Sequence, residues 1–201
     1  TVTGVDANGC QNTDNVNVTI TSSPTISNLV ETCNGPGTGY TVSFDITGGA
    51  GNIGSYIVDE ILKQEPKLCI IVDNFFNGNN TRTEKNVKVY PFDIANVEEL
   101  SYVFEKYSPE YVFHCASMLI QDSELLPRKS INTNIMGTFN VVDLSNKHGV
   151  KKICYSSSAS VYGEPQYLPV DESHPFQYDN FIYGWTKITA EMIFRSNCKV
   201  D

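Results

Sequence analysis

Three glycines at every third position, Gly48, Gly51 and Gly54, constrain the fold of this chain most strongly. They lie in the stretch TGGAGNIG, between a short apolar segment and a segment with helical spacing. This spacing suits a tight strand-to-helix turn whose backbone N–H groups approach an anion closely. Alone, a glycine-rich turn is more often only a turn. The candidate cofactor contacts in it are Gly48, Gly51, Asn52, Ile53 and Gly54.

From Ile46 onward, strand-like and helix-like segments alternate. After the turn, IGSYIVDEIL has helical spacing, and KLCIIVD is a short apolar run typical of a buried strand. VEELSYVFEKY follows as a helix, YVFHCAS and KKICYSSS as strands, and further helices are expected at 131–148 and 183–196. The alternation predicts an α/β fold, a Rossmann-type doubly wound parallel sheet with helices on both faces.

The first quarter of the chain has a different composition. All 14 Lys and Arg residues come after residue 47, and the segment before it is rich in Thr, Asn, Ser and Gly. TVTGVDANGC and YTVSFDITGGAGN resemble the Ig-like or PKD-like repeats of bacterial cell-surface proteins. We therefore predict a short β-rich fragment or appendage at 1–40 and a Rossmann domain at 41–201.

Charge and hydropathy argue against several classes of protein. The net charge of −9 disfavours a surface built to bind nucleic acid or an anionic membrane. No apolar run approaches the roughly 20 residues of a membrane span, and no export signal is visible. The six cysteines lack CxxC spacing, so we predict no metal site. A cytoplasmic protein is expected.

A carboxylate follows the glycine turn at a meaningful distance. Asp73 ends the strand CIIVD about 25 residues after Gly48. At that position a carboxylate accepts both hydroxyls of an adenosine ribose and repels a 2′-phosphate, which favours NAD over NADP. Asn74 lies beside it, and Asp93 and Ile94 are expected near the adenine.

A tyrosine and a lysine near the C-terminus suggest catalysis. Tyr183 and Lys187 are four residues apart in YGWTK, on one face of the expected helix. A nearby ammonium stabilises phenolate, so such a tyrosine can act as a general base. Ser158, from the serine run after the preceding strand, could hydrogen-bond the substrate oxygen.

Seven stretches together resemble one family. They are TGGAGNIG, VDN, FDI, VFHCAS, NTNIMGTFNV, SSSASVYGE and YGWTK. Over residues 46–198 the chain resembles the extended short-chain dehydrogenase/reductase family, and most closely its NAD-dependent nucleotide-sugar epimerases. The residues that the resemblance assigns to the active site are Ser158, Tyr183, Lys187 and Asn134. Those that it assigns to the nicotinamide side of the cofactor are Cys115, Ala116, Ser117, Tyr183 and Lys187.

The resemblance implies an NAD-dependent 4-epimerase core that acts on a UDP-sugar through a keto-sugar intermediate, and a possible homodimer. Ala159 and Ser160 stand where dehydratases of the superfamily carry an acid pair, which disfavours dehydration. Two alternatives remain open. One is a nucleotide-sugar dehydrogenase or reductase of the same family, and the other is a non-catalytic surface β-repeat fused to an inactive enzyme fragment.

Two features depart from the family pattern. The family continues beyond the YxxxK helix into a substrate domain, so poor sugar binding is expected here. The first strand, TVSFDIT, alternates and puts Ser43 and Asp45 on one face, whereas a central parallel strand should be apolar on both faces. The pattern is typical of a strand with one solvated face, and we hypothesise a junction of two proteins within ITGGAGN.

Overall fold

The structure is a computed structural model that describes residues 2–5, 11–14, 43–177 and 181–198. The chain divides into two compact units, Thr1–Thr38 and Gly39–Asp201. In the first, strands β1 (Val2–Val5) and β2 (Gln11–Asp14) pair antiparallel. The proposed Ig-like character of residues 1–40 otherwise lies outside the described residues and stays a prediction.

The described residues of the second unit form five strands. They are β3 (Ser43–Thr47), β4 (Leu68–Val72), β5 (Val87–Tyr90), β6 (Tyr111–His114) and β7 (Lys152–Tyr155). Every neighbouring pair is parallel, in the order β5-β4-β3-β6-β7. The chain first builds the sheet outward from β3 on one side and then returns to add β6 on the other. This reversal creates a topological switch point between β3 and β6, where ligands bind in open α/β sheets. The predicted parallel α/β sheet is confirmed.

Helical segments connect the strands. They are α1 (Asn52–Leu62), α2 (Val97–Tyr107), α3 (Ile120–Leu125), α4 (Pro127–Ser130), a π-helix (Ile131–Gly137), α5 (Thr138–Lys147), a 3₁₀ turn (Ala159–Tyr162) and α6 (Ile182–Asn197). The helix expected at 131–148 is thus a π-helix followed by an α-helix. In the part of the chain that the structure describes, no helix has the length and apolar character needed to cross a membrane.

The core forms where the apolar pattern predicts it. Ile70 and Val72 of β4 are fully buried against Leu100 and Phe104 of α2 and Val141 of α5. Helix α2 begins at a capping residue, because the Asn96 side chain accepts hydrogen bonds from the Glu98 and Glu99 N–H groups. The apolar residues at helical spacing in α2 and α5 therefore pack against one face of the sheet.

The interpretation of the first strand as solvated on one face is wrong. β3 is the central strand, hydrogen-bonded on both sides, and Asp45 is completely buried. Alternation specifies which residues share a face, but not what covers that face. Neither carboxyl oxygen of Asp45 has a hydrogen-bond partner among the described residues. Burial raises the pKa of Asp45 to about 7, an effect that the backbone of Ile46 offsets only in part.

Candidate functional site

The glycine turn lies between β3 and α1, at the carboxyl edge of the sheet. Gly48 has a φ of +75°, and a Cβ atom there would lie 2.5 Å from the backbone nitrogen of Ala116. At Gly54 a Cβ would lie 2.2 Å from the carbonyl oxygen of Gly48. Both positions therefore require glycine, the first for its backbone conformation and close approach, the second for packing.

A groove runs along this edge and brings together most of the predicted cofactor residues. Those that line it are Gly48, Gly51, Asp73, Asn74, Asp93, Ile94, Cys115, Ala116 and Ser117. Five others do not line it, namely Asn52, Ile53, Gly54, Tyr183 and Lys187. Ile53 is 56 % exposed, and Gly54 packs against the backbone of Gly48. The groove lies at the switch point, where the fold places ligands.

Backbone hydrogen bonds orient the Asp73 carboxylate. Asp73 is nearly buried, and its Oδ2 accepts a hydrogen bond from the N–H of Ala50 at 2.9 Å. Its Oδ1 accepts one from the N–H of Phe75 at 2.8 Å. Each carboxylate oxygen retains acceptor capacity for a further donor, such as a ribose hydroxyl. The carboxylate is thus attached to the glycine turn and faces the groove.

Asp93 and Asn74 are hydrogen-bonded to each other in the same groove. The side-chain amide of Asn74 donates to Asp93 Oδ2 at 3.0 Å, and the N–H of Ala95 donates to Oδ1 at 2.9 Å. Ile94, beside them, is buried. The strand ends of β4 and β5 therefore present a polar pair and an apolar side chain together. An adenine subsite at this position stays a prediction.

Helix α6 carries Tyr183 and Lys187 into the interior. Their relative exposures are 7 % and 3 %. Lys187 Nζ donates to the carbonyl oxygen of Ser156 at 2.8 Å and lies 5.8 Å from the ring centroid of Tyr183. Burial lowers the pKa of Lys187 to about 8, although Cys115 and Glu191 nearby act to raise it. The spacing in YGWTK thus produces the expected ammonium beside a tyrosine.

Ser158 follows β7 and caps the 3₁₀ turn. Its Oγ accepts hydrogen bonds from the hydroxyl of Ser160 at 2.9 Å and from the N–H of Ser160 at 3.3 Å. Because Ser160 is the donor, the hydroxyl proton of Ser158 stays available to another acceptor. Among the hydrogen bonds of the described residues, the partner of the Ser158 side chain is Ser160 and not Tyr183.

Asn134 connects three elements from within the π-helix. It is 2 % exposed, and its Oδ1 accepts from the N–H of Met118 at 2.7 Å. Its Nδ2 donates to the carbonyl of Met118 at 3.1 Å and to Thr186 Oγ1 at 3.0 Å. Asn134 therefore connects the loop after β6 to α6, next to Tyr183.

His114 lies under the site as a neutral core residue. Its ring nitrogens bond to Thr47 Oγ1 at 2.6 Å and to Thr138 Oγ1 at 2.9 Å, and its side chain is fully buried. Burial, together with the charge of Lys187, lowers the pKa of His114 to about 3. Among the described residues no group of His, Cys, Asp or Glu could hold a metal ion.

The sequence did not reveal several residues of the site. Glu191 accepts a hydrogen bond from Ser157 Oγ at 2.6 Å, and its position one turn after Lys187 was a usable signal. Phe76 and Lys129 both line the groove, and Lys129 Nζ lies 3.7 Å from the Phe76 ring centroid. Nothing in their sequence spacing indicates that contact.

Comparison with known proteins places the second unit in a family. Residues 45–199 match the model of the NAD dependent epimerase/dehydratase family. UDP-glucose 4-epimerase of Dictyostelium discoideum is 37 % identical over 164 residues, covering 78 % of this chain and 47 % of that protein. The chain spans about half the length of the curated relatives it matches.

Solved structures agree. UDP-glucose 4-epimerase of Thermotoga maritima, determined with UDP-glucose, has a TM-score of 0.71 at 32 % identity and covers 77 % of this chain and 52 % of that one. The Bordetella bronchiseptica enzyme WbmG, in complex with NAD, has a TM-score of 0.74 at 25 % identity over 81 % and 52 % of the two chains. The chain belongs to the NAD dependent epimerase/dehydratase family.

Proposed function

We propose that residues 41–201 form an NAD-binding domain and the catalytic core of a nucleotide-sugar 4-epimerase. The observation that carries the proposal is one edge of the sheet, where the glycine turn and Asp73 line the groove and Lys187 bonds to the Ser156 carbonyl directly after β7. The similar epimerases and the NAD complex of WbmG support it.

The residues present fit a dinucleotide. Gly48 lets the backbone of the turn come close to Ala116, and Gly51 lines the groove with no side chain to occupy the space where a pyrophosphate would lie. Asp73 keeps acceptor capacity for ribose hydroxyls and would repel a 2′-phosphate, which favours NAD over NADP. When bound, NAD would supply reversible hydride transfer with C4 of the sugar.

Proton transfer is assigned to the protein. Tyr183, as phenolate, would accept the proton from the sugar hydroxyl at O4 and return it after the keto-sugar has turned over. The Lys187 ammonium, held by the Ser156 carbonyl, would stabilise that phenolate. Because the pKa of Lys187 is about 8, this stabilisation declines as the pH rises above 8. The Ser158 hydroxyl, which accepts from Ser160, would donate a hydrogen bond to the same sugar oxygen.

A UDP-sugar is the substrate class we propose, because the similar Thermotoga enzyme was solved with UDP-glucose. A homodimer is proposed from the resemblance and from apolar side chains that are 42 % to 56 % exposed. These are Ile131, Met136, Phe139, Trp185 and Met192. A cytoplasmic location is proposed because the four described cysteines, Cys69, Cys115, Cys154 and Cys198, are free thiols, as in reducing compartments.

Replacing Tyr183 with Phe tests this function. The variant should bind NAD like the parent but lose interconversion of UDP-glucose and UDP-galactose by about 10²-fold or more, because the proton acceptor is gone. The exposed Tyr56→Phe is the matched control and should keep the parent rate. Product sugars are measured by chromatography, and NADH by its fluorescence. Equal turnover by Tyr183→Phe would contradict the proposal, and net accumulation of NADH would favour a dehydrogenase.

A further inference from the structure

The dinucleotide groove has an uneven distribution of charge. Two of its lining side chains, Asp73 and Asp93, are carboxylates, and among the described lining residues Lys129 alone carries a positive charge. The chain as a whole has a net charge of −9. A ligand with a pyrophosphate adds negative charge to this groove, so its electrostatic free energy depends on the one nearby cation.

Lys129 extends from α4, across the groove from the glycine turn. Its ammonium lies 3.7 Å from the ring centroid of Phe76, and it forms no ion pair or hydrogen bond within the described part of the chain. A cation–π contact at a half-exposed ring is a weak restraint, on the order of 1 kcal/mol. The ammonium thus keeps its three donors for a ligand.

The loop after β4 holds Phe76 at this position. On one side the loop packs on the glycine turn, since a Cβ at Gly78 would lie 2.4 Å from the backbone of Ala50. On the other side Asn77 Nδ2 donates to Asp122 Oδ2 of α3 at 3.0 Å. The loop therefore spans the groove, and its Phe76 ring keeps the Lys129 ammonium over the groove.

We propose that Lys129 binds the phosphates of the cofactor, a nucleoside-diphosphate moiety, and that Phe76 positions it. This assignment rests on the proposed NAD-binding function. The glycine turn offers neutral N–H donors, and Lys129 adds charge-assisted hydrogen bonds to the same phosphates. Its flexible stem lets the ammonium leave the ring and meet the anion.

The test compares two adenosine ligands that carry a diphosphate with one that carries none. ADP, adenosine and NAD are titrated into the full chain by calorimetry, using the parent, Lys129→Gln, Lys129→Arg and Arg128→Gln. Arg128 is the exposed neighbour of Lys129 on α4 and lies outside the groove. Arg128→Gln is the matched control, because it removes the same charge as Lys129→Gln. Thermal melts verify folding of each variant.

Lys129→Gln should weaken ADP and NAD binding on the order of tenfold and leave adenosine binding unchanged. Lys129→Arg should retain most of the ADP affinity, and Arg128→Gln should match the parent. If Lys129→Gln and Arg128→Gln weaken ADP equally, or if adenosine is weakened as much as ADP, the assignment is overturned. If the parent binds NAD, and Lys129→Gln binds ADP as tightly as the parent does, the phosphate-binding role of Lys129 is overturned. The proposed NAD-binding function would then still stand. A folded parent that binds no NAD contradicts the proposed function, and the assignment falls with it.

Discussion

At the scale of single residues, two buried titratable groups have opposite effects on stability. Asp45 has a folded pKa of about 7 against 3.8 in an ordinary aspartate, so the folded state binds more protons between those values. The contribution of Asp45 to the free energy of unfolding is therefore fully present below pH 3.8. It is lost as the pH rises through about 7. His114, with a pKa of about 3 against 6.5, binds fewer protons when folded, so its contribution grows with pH over that range.

Asp45→Asn should reveal the first effect. The free energy of unfolding of the variant, minus that of the parent, should rise from pH 4 to pH 8 by about 4 kcal/mol, because Asn does not titrate. His114 is present in both proteins and cancels in the difference. Urea unfolding at pH 4, 6 and 8 measures it, with the exposed Asp143→Asn as control. A difference that stays constant with pH would contradict the burial of an unpaired carboxyl at this position.

At the scale of elements, the strand, turn and helix around the glycines follow from the sequence, while the π-helix does not. Gly48, Gly51 and Gly54 constrain the backbone directly, so the turn could be predicted from residue type alone. Residues 131–137 carry an ordinary helical pattern, and only the packing of Asn134 between Met118 and Thr186 distinguishes them. The contact of Lys129 with Phe76 depends in the same way on tertiary structure.

Two alanine substitutions separate the structural from the binding role of the turn. At Gly54 the new Cβ meets the backbone oxygen of Gly48 at 2.2 Å, so Gly54→Ala should cost about 2 kcal/mol or more and abolish NAD binding. At Gly51 the same oxygen is 3.3 Å away, so Gly51→Ala should fold almost normally and bind NAD more weakly because Gly51 lines the groove. Thermal melts and NAD titrations measure both. Parent-like stability of Gly54→Ala, or parent-like affinity of Gly51→Ala, would contradict this account of the turn.

At the scale of the whole molecule, the sequence predicts the parallel sheet and most of the groove, because strand ends in such a fold meet at one edge. It did not predict that the central strand buries Asp45, since an alternating pattern carries no information about the layer above it. The division at residue 40, the Ig-like character of the first segment and the junction within ITGGAGN stay predictions. The groove that we propose for NAD is lined by residues of the second unit.

The central claim is that this second unit binds NAD through the glycine turn and Asp73. Calorimetric titration of the full chain with NAD and with NADP tests it most directly. We predict one NAD per chain and an affinity for NADP at least about tenfold lower, because Asp73 lies where the 2′-phosphate would be. Asp73→Asn should reduce the ratio of the NAD affinity to the NADP affinity. A folded chain that binds neither dinucleotide, or binds both equally, would contradict the account.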